Sequence, residues 1–177
     1  MNHHDKWVKY MRDRVGDYAF RSRTRYKSVA IELAVLGLSD EHLLVDVGAG
    51  TTQFDYFLRT DMGFNGRYLP VDATLDGTDL ETWTPAVVPD FAVAIEVIEH
   101  LHDAERMLGI LEHVKIASVI TTPNPAVVDV IACDPTHVSV IPEGLLRRRG
   151  WRTSTESLFG KPHDTIVATF SVDKRRG

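Results

Sequence analysis

Glu96, Glu99 and His100, in the segment Glu-Val-Ile-Glu-His, bring two hard oxygen donors and an imidazole close together in the chain. Carboxylates and imidazole are costly to crowd unless water, cations or a metal compensate. If a helix begins at Glu96, the three stand at i, i+3 and i+4 and share one face. Such a set suits Mg2+ or Mn2+ with open positions for substrate oxygens, although Mg2+ takes few imidazole ligands. His137, in Asp134-Pro135-Thr136-His137-Val138, is a fourth candidate ligand. Without a metal, His100 and His137 are candidate general bases. Taken singly, a core or loop histidine is the commoner fate of either.

A second feature lies upstream. In Val45-Asp46-Val47-Gly48-Ala49-Gly50-Thr51, an apolar strand runs into two glycines, and helical spacing resumes at Gln53 to Leu58. Glycines at such a turn let the backbone pass close to a ligand. Asp72 follows Gly50 by 22 residues at the end of a second strand, about where a ribose-binding carboxylate is expected. A nicotinamide dinucleotide is the competing ligand, but its fingerprint needs glycine at position 53, which is Gln53.

The elements that must position these groups follow from the apolar pattern. Strands are expected at Leu43–Val47, Arg67–Val71, Phe91–Ile95 and Ala117–Thr122, with a further one, short or absent, near Thr78 to Leu80. Helices are expected over Ser28–Leu38, from Gln53, through Met107 and Leu111, and over Pro142–Arg149. Trp151–Phe159 and Thr165–Val172 read as a terminal hairpin, and Thr122-Pro123-Asn124-Pro125 as a rigid loop bordering the pocket. The expected fold is α/β: a Rossmann-like, doubly wound, mostly parallel sheet with an antiparallel C-terminal strand, shortened in the middle. No linker or repeat divides the chain, so residues 1–177 are expected to form one domain, with a helical segment over 1–38 and the core over 39–177.

The 177 residues are 44% hydrophobic and 25% charged, the composition of a folded globular protein rather than a disordered or fibrous one. No apolar run long enough to span a membrane and no secretory leader is read, and Cys133 stands alone, so a cytoplasmic location and no membrane partner are expected. The net charge of −5 divides into +5 over residues 1–27, −15 over 28–146 and +5 over 147–177. Basic ends on an acidic body flank an anionic substrate or pair with the body itself.

Taken in order, these motifs resemble class I S-adenosylmethionine-dependent methyltransferases, specifically the small type-11-like members, from Leu43 to Val172. The resemblance implies S-adenosyl-L-methionine as cofactor. Asp46 would order the loop near its amino group, Gly48 and Gly50 would approach its methionine and ribose portions, and Asp72 would bind the ribose hydroxyls. Asp79 is the candidate for the adenine amino group, and Glu96 joins the cofactor-binding set. Thr52 departs from the family's frequent third glycine, and the stretch between Asp72 and Ile95 is short. The Glu-x-x-Glu-His segment resembles two metal-assisted branches, the ubiquinone-biosynthesis O-methyltransferases and the small-RNA 3′-terminal 2′-O-methyltransferases. That match implies a divalent cation held by Glu96, Glu99, His100 and His137.

The implied activity is O-methylation of a small-molecule acceptor. The alternatives are 2′-O-methylation of an RNA 3′ end, which the basic Arg147-Arg148-Arg149 would fit, and a non-catalytic cofactor-binding module. The aromatic and basic amino-terminal stretch, with Trp7 and Tyr10, is a candidate substrate lid or plain packing. Exocyclic amino methylation of DNA lacks its Pro-Pro tetrapeptide after the fourth strand, and cytosine C5 methylation lacks its Pro-Cys pair.

Overall fold

The computed structural model describes residues 22–172; Trp7 and Tyr10 lie outside them. A six-stranded sheet has the order β2-β1-β3-β4-β6-β5. Its strands are β1 (Leu43–Val47), β2 (Arg67–Val71), β3 (Phe91–Ile95), β4 (Ala117–Pro123), β5 (Arg152–Glu156) and β6 (Thr165–Ser171). β2, β1, β3 and β4 pair in parallel, whereas β6 is antiparallel to both β4 and β5. The helices are α1 (22–35), α2 (Gln53–Asp61), α3 (Ala73–Asp76), α4 (Ala104–Glu112), α5 (Val130–Cys133) and α6 (Glu143–Arg148).

Burial on both faces explains why the central strands are continuous apolar runs, while the edge strands β2 and β5 alternate. Leu44, Phe91, Val93 and Val119 pack with Val29 and Leu33 of α1 and Phe54, Phe57 and Leu58 of α2. Their neighbours Val45, Val47, Ala92, Ala94 and Ile120 face the opposite layer, with Met107, Leu108 and Leu111 of α4 and Leu146 of α6. The two-residue period of the strands thus builds one core on each side of the sheet.

Helix α1 ends as its glycine predicts. Gly37 has φ +91°, the Leu38 N–H donates to the Leu33 carbonyl and the Gly37 N–H to that of Ala34, which is the Schellman arrangement.

The further strand near Thr78 to Leu80 does not form. The N–H groups of Thr82 and Trp83 donate to the Asp79 carbonyl and close a turn. Glu81 then accepts the N–H groups of His102 and Asp103 ahead of α4, while Leu80 and Trp83 lean on the α4-side core. With the Thr82 and Trp83 N–H groups closing a turn rather than a ladder, β2 is the rim of the sheet among the described residues.

The glycine turn after β1 is bound to this packing. A Cβ on Gly48 would lie 2.3 Å from a methyl of Val97, and the residue has φ +74°. Gly48→Ala is therefore expected to destabilise the fold by about 2–4 kcal/mol, combining overpacking with left-handed strain. In urea unfolding, the double variant with Val97→Ala should fall short of the summed single losses by about 1–2 kcal/mol, because the shared clash is gone.

Candidate functional site

All four parallel strands end at the same side of the sheet, and the loops after β1, β2, β3 and β4 meet there. Between β1 and β3 the chain order reverses, the place where open α/β sheets bind ligands. A cleft of about 390 Å³, including space open to solvent, lies there against α1 and α2, lined by Asp46, Gly48, Ala49, Thr51 and Ile95 from the sheet side.

The turn is held by a carboxylate. Gly50 N–H donates to Asp72 Oδ2 (2.8 Å), Thr74 N–H to Asp72 Oδ1 (2.7 Å), and the Thr74 hydroxyl returns to the Gly50 carbonyl (2.9 Å). Asp72 thus caps α3 and ties the end of β2 to the turn after β1. A Cβ on Gly50 would meet nothing within 4 Å, so its φ of +54°, not crowding, demands glycine. Thr52, at the position of the missing third glycine, has φ 60° and ψ 29°. The backbone keeps the conformation glycine favours although the residue is β-branched, a strain of about 1–2 kcal/mol.

Asp46, 2% exposed, accepts a hydrogen bond from the Tyr68 hydroxyl of β2. Burial pushes its carboxyl up to about 7, against the pull of Tyr68 and with help from the charges of Asp72 and Asp55. Burial beside Asp46 also raises the Tyr68 phenol.

Beyond β3, Glu96 has φ 56°, and its N–H donates to both the carbonyl and the hydroxyl of Thr121 (3.1 Å each). The chain then makes a single 3-10 turn at Ile98–His100, not the α-helix expected from Glu96. With the geometry changed, ligand atoms of Glu99, His100 and His137 lie within 4.8 Å of one another, and Glu96 stands outside that group. His137 arrives from the far side of α5 because the N–H groups of Val138 and Ser139 both donate to the Glu99 carbonyl (2.9 and 3.0 Å).

Both rings are oriented through Nδ1. His100 Nδ1 lies 3.2 Å from the Thr136 carbonyl and 2.9 Å from its hydroxyl; His137 Nδ1 lies 2.6 Å from the Val130 carbonyl. A carbonyl only accepts, so each Nδ1 carries the proton and Nε2 the lone pair in the neutral ring. Glu99 is fully buried and neither carboxyl oxygen has a hydrogen-bond partner. Desolvation, then the neighbouring Glu96, raises its pKa; Glu96 is raised by desolvation, with Arg25 and His137 opposing. One buried carboxylate and two imidazoles, their ligand atoms within 4.8 Å of one another, form a donor set that could hold a divalent metal.

Asp79, expected at the adenine, sits in the exposed turn after α3 and accepts the Glu81 N–H (3.0 Å). Asn124 accepts the Ala126 N–H on its side chain and the Val127 and Val128 N–H groups on its carbonyl, fixing the Pro-Asn-Pro loop. Arg147-Arg148-Arg149 does not present an open basic patch. Arg149 forms a two-pronged bond to Glu112, which also accepts Trp151 Nε1–H, and Arg147 pairs with Glu143. Sequence reading missed Arg25, Tyr26, Gln53 and Tyr68 around the cleft; the first two are indistinguishable in the sequence from their basic and aromatic neighbours.

No family model matches the chain, and no curated protein matches it. Solved structures do. A SAM-dependent methyltransferase from Archaeoglobus fulgidus aligns with TM-score 0.59 and 16% identity, over 89% of this chain and 100% of that one. One from Mesorhizobium loti aligns with TM-score 0.58 and 14% identity, over 83% and 100%. A chain from a complex containing the Haloferax volcanii Trm112 methyltransferase activator aligns with TM-score 0.65 and 12% identity, over 97% and 98%.

Asp46 carries a checkable cost. A carboxyl raised in the fold from 3.8 to about 7 favours the protonated state, so its contribution to stability is lost as pH rises through that window. Ionised, it costs about 4 kcal/mol. Asp46→Asn should therefore lose less stability between pH 5 and pH 8 than the parent by about 2–3 kcal/mol in urea unfolding, the parent being the steeper. The sheet order, the reversal between β1 and β3 and the placement of the strand ends together give this chain the fold of the S-adenosylmethionine-dependent methyltransferase structures it aligns with.

Proposed function

We propose that this chain is an S-adenosylmethionine-dependent methyltransferase acting on a hydroxyl of a small-molecule acceptor. The observation that carries the reading is the glycine turn braced by Asp72 beside a cleft at the reversal point of the sheet, with His100 in the turn after β3 and His137 beyond α5 brought together with Glu99. The residues fit the cofactor: the turn opens beside Gly50, and Asp72 keeps acceptor lone pairs beyond the two it uses. Asp46 stands by the amino group, Gly48 and Gly50 by the methionine and ribose portions, and Asp72 by the ribose hydroxyls. Asp79 and Glu96 have the weaker claims, since one is bound in an exposed turn and the backbone of the other is tied to Thr121 of β4.

When bound, the cofactor supplies a methyl group on a sulfonium. Transfer forms a carbon–oxygen bond to the acceptor and breaks the carbon–sulfur bond, the electron pair staying on sulfur. Alignment supplies much of the rate, up to roughly 7–11 kcal/mol of the barrier in favourable cases. The acceptor hydroxyl must lose its proton, and Nε2 of His100 or His137 carries the lone pair that takes it.

In the alternative to base catalysis, the same nitrogens would instead give their lone pairs, with Glu99, to a divalent cation, and Mn2+ suits two imidazoles better than Mg2+ does. Bound there, the cation would lower the acceptor's pKa. The small-molecule acceptor is favoured over an RNA end because two of the three arginines offered for RNA are already paired with carboxylates.

Asp72→Ala should weaken S-adenosylhomocysteine about 10–100-fold in calorimetry; an unchanged dissociation constant removes Asp72 from the ribose, and no binding to the parent sinks the enzyme reading. Glu99→Gln or His137→Ala should weaken Mn2+ by more than about tenfold and remove metal-stimulated transfer. Parent activity indifferent to chelator disposes of the metal, and binding without transfer to any acceptor supports the non-catalytic module instead.

A further inference from the structure

The segment Asp134-Pro135-Thr136-His137 brings more than the ring of His137 to the site. The His137 N–H donates to the Asp134 carbonyl (3.1 Å) and closes a turn that sets Thr136 against His100. The two imidazoles meet edge to face, their centroids 4.6 Å apart, which limits how either ring turns.

Their Nδ1 atoms are bound differently. His137 Nδ1 faces a backbone carbonyl, that of Val130 (2.6 Å), and a carbonyl can only accept. His100 Nδ1 faces the Thr136 carbonyl at 3.2 Å and, closer, the Thr136 hydroxyl at 2.9 Å. A hydroxyl both donates and accepts, so by itself it suits either tautomer of His100. Asp134 decides its direction. The Thr136 hydroxyl donates to Asp134 Oδ1 (2.6 Å), which also accepts the Thr136 N–H (2.8 Å). Burial raises the Asp134 carboxyl, but the two Thr136 bonds and the charges of His137 and His100 hold it below the ordinary aspartate range. Ionised, it offers acceptors only. With its one proton turned to Asp134, the hydroxyl presents lone pairs to His100, and Nδ1 must carry the hydrogen.

We infer that Asp134, acting through the Thr136 hydroxyl, is the positioning residue that keeps the proton of neutral His100 on Nδ1 and gives Nε2 the lone pair the site uses. The inference deepens the methyltransferase reading and rests on it for what that lone pair does, proton removal or metal binding. It also separates the two histidines. The tautomer of His100 hangs on a carboxylate reached through a hydroxyl, whereas that of His137 is set by the backbone.

Nitrogen-15 NMR of the histidine-labelled full chain at about pH 8.5, where imidazole is neutral, reads which ring nitrogen is protonated. The His100 signals are assigned by their loss in His100→Gln. The parent should show predominantly Nδ1–H. Asp134→Ala frees the hydroxyl to donate to Nδ1 and should shift the tautomer ratio about 3–10-fold toward Nε2–H. Asp134→Asn keeps an acceptor oxygen and should keep the parent's tautomer. Adding Thr136→Val to Asp134→Ala leaves only the carbonyl at Nδ1 and should restore Nδ1–H, a rescue that a loss of packing does not produce. A parent with the proton mainly on Nε2 overturns the inference without any variant, so it stays testable if Asp134→Ala does not fold. An unmoved tautomer in Asp134→Ala, or one that Thr136→Val does not restore, also overturns it. The tautomer is read without cofactor, acceptor or metal, so its failure leaves the methyltransferase reading standing. Absent S-adenosylhomocysteine binding sinks that reading, while the tautomer still decides this one.

Discussion

The site depends on one carboxylate shared between two backbone segments. By accepting from Gly50 on one oxygen and from Thr74 on the other, Asp72 fixes the turn after β1 relative to the end of β2. A charge-assisted bond to a backbone N–H is among the stronger contacts available, and Asp72 is largely buried, so solvent competes little for it. The return bond from the Thr74 hydroxyl to the Gly50 carbonyl closes the loop. Gly50 can then hold its left-handed conformation with open space where a side chain would be. Structural bracing and ligand contact are compatible in such a residue, because each carboxylate oxygen has two lone pairs.

Charge is arranged around that brace in two different ways. On the surface, three arginines of the basic C-terminal stretch are paired within the fold: Arg149 with Glu112, Arg147 with Glu143 and Arg152 with Glu32. At the strand ends Asp46 and Glu99 are buried and Glu96 is half-buried, and all three are held toward the protonated state by desolvation. Their cost in the fold is the kind that a cationic ligand or metal offsets, which is why strained and desolvated groups concentrate at functional sites.

Much of this was legible in the residues. The apolar runs Leu43–Val47 and Phe91–Ile95 marked central strands because both faces are covered, and the two glycines before Gln53 marked the turn from β1 into α2. The terminal hairpin formed as expected, and the helix read over Ser28–Leu38 begins earlier and stops before Gly37. The conformation at Glu96 was not legible, since nothing local announces that a glutamate will take φ 56° and give a 3-10 turn. The stretch near Thr78 to Leu80, read as a strand short or absent, holds none because Glu81 and Trp83 have tertiary partners at α4, a choice made outside the segment. Arg25 escaped notice because burial, the property that distinguishes it from the other N-terminal arginines, has no signature in spacing.

Among the described residues the sheet stops at β2, whose Leu69 is 43% exposed. An open margin of this kind invites other chains to add to it. Pro70 withdraws one donor from that margin and Arg67 places a charge along it, two features that discourage further pairing. The border of the sheet is open, yet it is not a seed for polymerisation.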